Sequence, residues 1–151
     1  MPCNIVDKKS FRICTYKTDR FKTLRMSFYA ALPLSGNVSA NAILPNLLSR
    51  SCEKYPEFVE LKDKLADLYG AAVFSSVKKI GESQMLGITI KAVDDRFALS
   101  DESIKEQCAD LLCELVFRPH FENGTFSDKD IEREKRLLIE DIESEKTDSS
   151  F

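Results

Sequence analysis

The sequence predicts an α+β fold: an antiparallel-rich sheet with helices packed on one of its faces. Three observations predict it. Leu24, Met26, Phe28, Ala30 and Leu32 alternate with more polar neighbours at the period of a half-buried strand. Phe58, Leu61, Leu65 and Leu68 recur at helical spacing. Short breaks carrying Gly, Asn or Pro separate such segments, and neighbouring strands are joined by turns too short for a crossover helix. With 151 residues, 43% of them hydrophobic and ten of them Phe, the chain can bury a core and does not have the composition of a disordered segment.

Phe11–Tyr16 and Phe21–Leu32 read as strands on either side of a Lys17-Thr18-Asp19-Arg20 turn. Pro33 and Gly36-Asn37 end the second strand, and Ser39 is the expected N-cap of the helix that follows. Pro45 lies inside that helix and has no N–H to donate, so the helix is expected to start late or to kink. Glu57–Tyr69 is an amphipathic helix stopped by Gly70. Ala71–Ile80 and Gln84–Val93 read as strands around a Gly81-Glu82 turn, with Leu86, Ile88, Ile90 and Ala92 pointing inward. Asp101–Phe117 is a helix with Ile104, Cys108, Leu111, Leu112 and Leu115 towards the core, ended by Pro119. Asn123-Gly124 is a turn. Ser127-Asp128-Lys129-Asp130 resembles a capping box opening a last helix, whose apolar side is Ile131, Leu138 and Ile142.

Charge is unevenly placed. Residues 1–50 hold eight Lys/Arg against two Asp/Glu, and the remainder fourteen against twenty-three, so +6 and −9 make the net −3. The basic residues Arg12, Lys22 and Arg25 alternate with apolar ones along strands, which fits a solvated sheet face, and nucleic-acid binding is not expected. No apolar run reaches the roughly 18 residues of a membrane helix, and residues 1–9 lack the apolar core of a signal peptide. Cys3, Cys14, Cys52, Cys108 and Cys113 are odd in number and form no Cys-x-x-Cys pair. Reduced thiols in a cytoplasmic protein are therefore expected, with Cys108 and Cys113 as small core or boundary residues.

The stretch Asn41-Ala42-Ile43-Leu44-Pro45-Asn46-Leu47-Leu48, followed by Ser49-Arg50-Ser51-Cys52-Glu53-Lys54-Tyr55-Pro56, carries a resemblance. With Leu68-Tyr69-Gly70-Ala71, Phe117-Arg118-Pro119-His120-Phe121 and Glu132–Ile142 in this order, the chain resembles the pitrilysin/insulinase family of zinc peptidases, which includes the mitochondrial processing peptidases. In that family one helix carries His-x-x-Glu-His: two histidines bind zinc and the glutamate activates the attacking water. Laid on that motif, the first histidine falls on Ala42, the glutamate on Pro45 and the second histidine on Asn46. The third ligand position falls on Asp141, 95 residues after Asn46, with Glu140 one residue off.

A methyl group, a proline ring and a carboxamide replace what a catalytic zinc site needs, so no zinc, no other cofactor and no catalytic residue are expected. His120 is the only histidine, which rules out a His pair, and no Gly-x-Ser-x-Gly elbow accompanies it. Asp141 and Glu140 read more simply as solvated carboxylates on a helix.

The resemblance implies a catalytically inactive subunit. Its partner would be an active homologous zinc peptidase, and the two would enclose an extended peptide added to a sheet edge. Leu24–Leu32 or the Ala71–Val93 pair could supply that edge. Residues 1–151 would form one peptidase-like N-terminal domain of a longer two-domain chain. Two alternatives stay open: an active zinc endopeptidase whose motif lies elsewhere, and a free-standing peptide-binding module.

Overall fold

The computed structural model describes residues 3–99 and 101–148. Its elements run β1 (Cys3–Asp7), β2 (Arg12–Tyr16), β3 (Thr23–Pro33), α1 (Val38–Leu48), α2 (Phe58–Asp67), β4 (Ala72–Ile80), β5 (Ser83–Val93), α3 (Ile104–Phe117) and α4 (Asp128–Asp148). This is the expected α+β architecture, with every described strand pair antiparallel.

The strands form two sheets. β3, β5 and β4 make a three-stranded sheet with β5 in the middle, paired from Thr23 opposite Val93 to Pro33 opposite Ser83, and from Ala72 opposite Lys91 to Ile80 opposite Ser83. Leu86, Ile88, Ile90 and Ala92 of β5 are all buried, as the alternation predicts. On the same face, Cys52, Leu61, Leu65, Leu68, Ile104, Cys108, Leu111 and Leu115 close over β5, with Leu24 and Met26 of β3 packed against them. All the helices that touch this sheet therefore lie on one side of it.

The two strands flanking Lys17–Arg20 do not pair with each other. β2 instead forms a separate two-stranded sheet with β1, an element with no signature in the sequence. Every residue of β1 and β2 is exposed, so neither strand shows an inward-facing period to read. An Asp7–Arg12 ion pair at 2.5 Å and a Lys8 N–H bond to the Phe11 carbonyl close this hairpin.

Helix α1 departs from expectation at its start. Asn37, not Ser39, is the N-cap residue, and the Asn41 N–H bonds the Asn37 carbonyl to close the first turn. The helix neither starts late nor stops at Pro45, which is buried in its third turn. The Gln84 side chain of β5 donates to the Val38 carbonyl at 3.1 Å, a tertiary contact that local sequence does not reveal.

At the other helix ends the sequence reading is close. Tyr69 and Gly70, both at positive φ, follow the last turn of α2. Asn123 and Gly124, also at positive φ, make the turn before α4. Ser127 caps α4: its hydroxyl accepts from the Asp130 N–H at 3.2 Å and donates to the Asp130 carboxylate at 2.8 Å.

Cys108 is fully buried, but Cys113 is exposed, contrary to its expected core or boundary place. It sits five residues past Cys108, about 140° round the helix from the packed stripe. Cys52 in the α1–α2 loop is as buried as Cys108, and burial pushes both thiols above their ordinary range. No helix among the described residues is long and apolar enough to cross a membrane.

Candidate functional site

The stretch read as a degenerate motif, Ala42 to Asn46, lies on α1 where that helix rests on β4, β5 and α4. Ala42 and Asn46 are half-buried, and Pro45 between them is buried. One turn of helix separates Ala42 from Asn46, so the two share a face, as the two histidines of an active site would. Asn46 is already engaged: its side-chain oxygen accepts a hydrogen bond from the Ser75 hydroxyl on β4. Its carbonyl accepts from the Ser49 hydroxyl at 2.9 Å.

Pro45 stands at the position where the resemblance would put the glutamate. Its ring faces the interior rather than a water, and it leaves the Asn41 carbonyl without the usual helical donor. An interior proline costs a helix about 3 kcal/mol relative to alanine. Replacing it with Ala removes two buried ring methylenes, worth about 0.8 kcal/mol each. Pro45→Ala is therefore expected to stabilise the fold by about 1 kcal/mol, read as a higher urea midpoint at unchanged m-value. A less stable variant would show that the ring's packing outweighs the helix cost.

The second half of the site is α4. Glu134 is buried, an uncommon place for a carboxylate, and it faces Arg133 at 3.3 Å and Arg50 at 3.9 Å. Arg133 also pairs with Asp130 at 2.6 Å, while Arg50 stands 3.9 Å from Asp130 and lies over the Phe58 ring at 4.4 Å. This cluster joins the end of α1 to the first turns of α4. Burial, followed by the like charge of Arg133, lowers the Arg50 pKa from its ordinary value.

Asp130 titrates below the usual carboxylate range. Burial pushes it up, but the Ser127 hydroxyl and Arg133 together outweigh that effect. A depressed carboxylate contributes stability that is present above its unfolded pKa and lost as pH falls through its folded pKa. Asp130→Asn is therefore expected to flatten the loss of stability below about pH 4 while lowering stability at neutral pH. Urea unfolding at pH 3 and pH 7 checks this; an equal deficit at both would contradict it.

Asp141 lies seven residues beyond Glu134, two helical turns on, and so continues the Glu134–Leu138 stripe that starts at α1. Glu140 points about 100° away and pairs with Arg136 at 3.7 Å. Both carboxylates are exposed. The expected apolar side of α4 needs correction as well: Ile131 and Leu138 are half-buried, but Ile142 is 44% exposed. At 21 residues, α4 is nearly twice as long as the 11-residue α1 it packs against, so its second half outruns that support.

Sequence reasoning missed Glu134, Arg50 and Ser75. Glu134 is hidden among the charged letters Glu132–Arg136, and only its spacing to Leu138 and Asp141 could have marked it. His120 is half-buried and lines a cavity of about 330 Å³ with Arg50, Phe58 and Arg133. Among the described residues no group of three or more His, Cys, Asp and Glu side chains converges as a metal site would. The residues at the motif positions do not fit zinc, because Asp141 is the one ionisable group among them.

No family profile matches the chain. Over 129 residues, 85% of this chain, it is 30% identical to a protein of Bacillus subtilis (strain 168) named "Probable inactive metalloprotease YmfF". It also superposes on the crystal structure of a conserved protein from Enterococcus faecalis V583, with a TM-score of 0.85 and 28% identity over 94% of the chain. The chain spans 30% of the length of the first and 34% of the second. The second likeness is one of fold, and the first is to a protein that is itself named as a probable inactive metalloprotease.

Proposed function

We propose that this chain belongs to a non-catalytic peptidase of the pitrilysin/insulinase type, which partners an active sibling and holds an extended peptide along the β4 edge of its sheet. The state of the motif helix carries the reading. Ala42 offers no lone pair, Pro45 is turned into the core, and Asn46 is bonded to Ser75, so three positions that would hold zinc and activate water serve packing instead. The likeness to a probable inactive metalloprotease supports the same conclusion.

The topology narrows the choice of edge. β5 is the central strand, which leaves β3 and β4 as the edges among the described residues. The Ser75–Asn46 hydrogen bond favours β4, the strand against which the motif helix is tied. A peptide added there would gain main-chain hydrogen bonds without any metal.

Affinity capture of the full-length protein from its own cells, followed by mass spectrometry, tests the partnership. Near-equal recovery of a homologue with an intact His-x-x-Glu-His motif is the expected outcome. Recovery of the protein alone would contradict it.

A further inference from the structure

A peptide laid along the β4 edge would meet charge of one sign. β4 carries Lys78 and Lys79 and no Asp or Glu, and the charged residues of β3 and β5 are Arg25 and Lys91. Among the described residues β4 pairs with β5 alone. Lys79 is exposed and has no ion-pair partner among the described residues.

Strand alternation decides which side chains such a peptide would meet on the side of the motif helix. Ser75, Val77 and Lys79 stand opposite Ile88, Leu86 and Gln84, all three buried, so they share the helix side of β4. Ser75 is half-buried, Val77 is 39% exposed and Lys79 is exposed. An added strand would set its own alternate residues beside these three.

Asn46 of α1 stands at the Ser75 end of this row. The Ser75 hydroxyl donates to the Asn46 side-chain oxygen and so orients the amide. The amide nitrogen itself donates to no described residue, although Asn46 is half-buried. Its two N–H groups beside an edge strand call for an acceptor that the described chain does not supply.

The geometry points to a peptide with an acidic residue beside Lys79, an apolar residue beside Val77 and a hydrogen-bond acceptor beside Ser75, where it receives the Asn46 amide. This specificity rests on the proposed peptide site at β4 and names the class of peptide held there. A basic residue beside Lys79 would instead face like charge, with Lys78, Lys91 and Arg25 adding a field of the same sign. The spacing of two residues applies in either strand direction, so the pattern reads acid, apolar and acceptor at alternate positions or the reverse. Asn46, where the resemblance would put a histidine, then serves to read the peptide.

The test uses the full-length protein and labelled peptides in which threonine alternates with glutamate, valine and serine. Anisotropy is expected to show binding that is lost when the peptide main chain is N-methylated, the mark of strand addition. Lysine in place of the glutamate is expected to weaken binding about fivefold, and Lys79→Glu to invert that preference. Alanine in place of the serine is expected to weaken binding to the native protein but not to Asn46→Leu, whose fold is checked by circular dichroism. Lys79 is exposed, so its variant carries the test even if Asn46→Leu does not fold.

No binding by any of these peptides would overturn the peptide site itself and the specificity with it, as when the protein's own chain pairs with β4. Binding that N-methylation abolishes, but with no preference for glutamate or with one that Lys79→Glu leaves unchanged, would keep the peptide site and overturn the specificity. A serine effect that persists in folded Asn46→Leu would overturn the role of Asn46.

Discussion

Replacing Arg50 and Arg133 together with methionine is expected to destabilise the fold by roughly 3–5 kcal/mol, because it leaves the buried Glu134 carboxylate without a counter-charge. The same physics makes the effect reversible. Adding Glu134→Leu to the double variant removes the orphaned charge and fills its space with carbon, and is expected to restore most of the loss. Chemical unfolding of the wild type and the two variants reads both steps. A double variant within about 1 kcal/mol of wild type would show that water reaches Glu134 and that the cluster is no tether between α1 and α4. Failure of the triple variant to recover would instead assign the arginines a packing role, for which the Arg50 stack on Phe58 at 4.4 Å is the obvious source.

The second large effect concerns the motif. In the quadruple variant Ala42→His/Pro45→Glu/Asn46→His/Asp141→Glu, zinc binding is expected to rise from none to about one ion per chain, measured by elemental analysis after dialysis. Two histidines four residues apart on α1 would share a face, and Glu at 141 would extend the α4 stripe by the one methylene that Asp lacks. Histidine at 46 must give up the bond to Ser75, so Ser75→Ala is expected to ease metal binding in this background. A folded quadruple variant that binds no zinc would show that α1 and α4 are held too far apart for a shared metal. The motif positions would then be a likeness of order without the geometry.

How much of this was legible in the sequence depends on where burial leaves a period. β3, β5, α2 and α3 each pack one face on the core, and their apolar residues repeat accordingly. The β1–β2 hairpin buries nothing, so β1 had no signature and the partner of β2 could not be inferred. The start of α1 was missed by two residues because its first turn is fixed partly from outside, by the Gln84 amide on the Val38 carbonyl.

At the site, the sequence offered positions to compare with a motif more readily than the contacts those positions make. Ala42, Pro45 and Asn46 stand out against the motif letter by letter. The Ser75 bond to Asn46 spans 29 residues and joins a helix to a strand, and no local pattern announces it. Glu134 looked like one more surface charge because helical periodicity is read from apolar residues, while here a carboxylate with two arginines occupies the inward position. The faces that Asp141 and Glu140 take on α4 likewise follow from the inward place of Glu134, which composition does not reveal.

The proposed function requires that the protein hold no catalytic zinc. The most direct measurement is the zinc content of the purified full-length protein, taken together with its hydrolysis of a casein-derived peptide mixture with and without chelator. Less than about 0.1 zinc per chain is expected, a level far below the one ion per site of a catalytic centre, with no chelator-sensitive cleavage by the protein alone. One zinc per chain that is lost in Asp141→Asn, with chelator-sensitive hydrolysis lost alongside it, would contradict the proposed function and favour an active zinc peptidase.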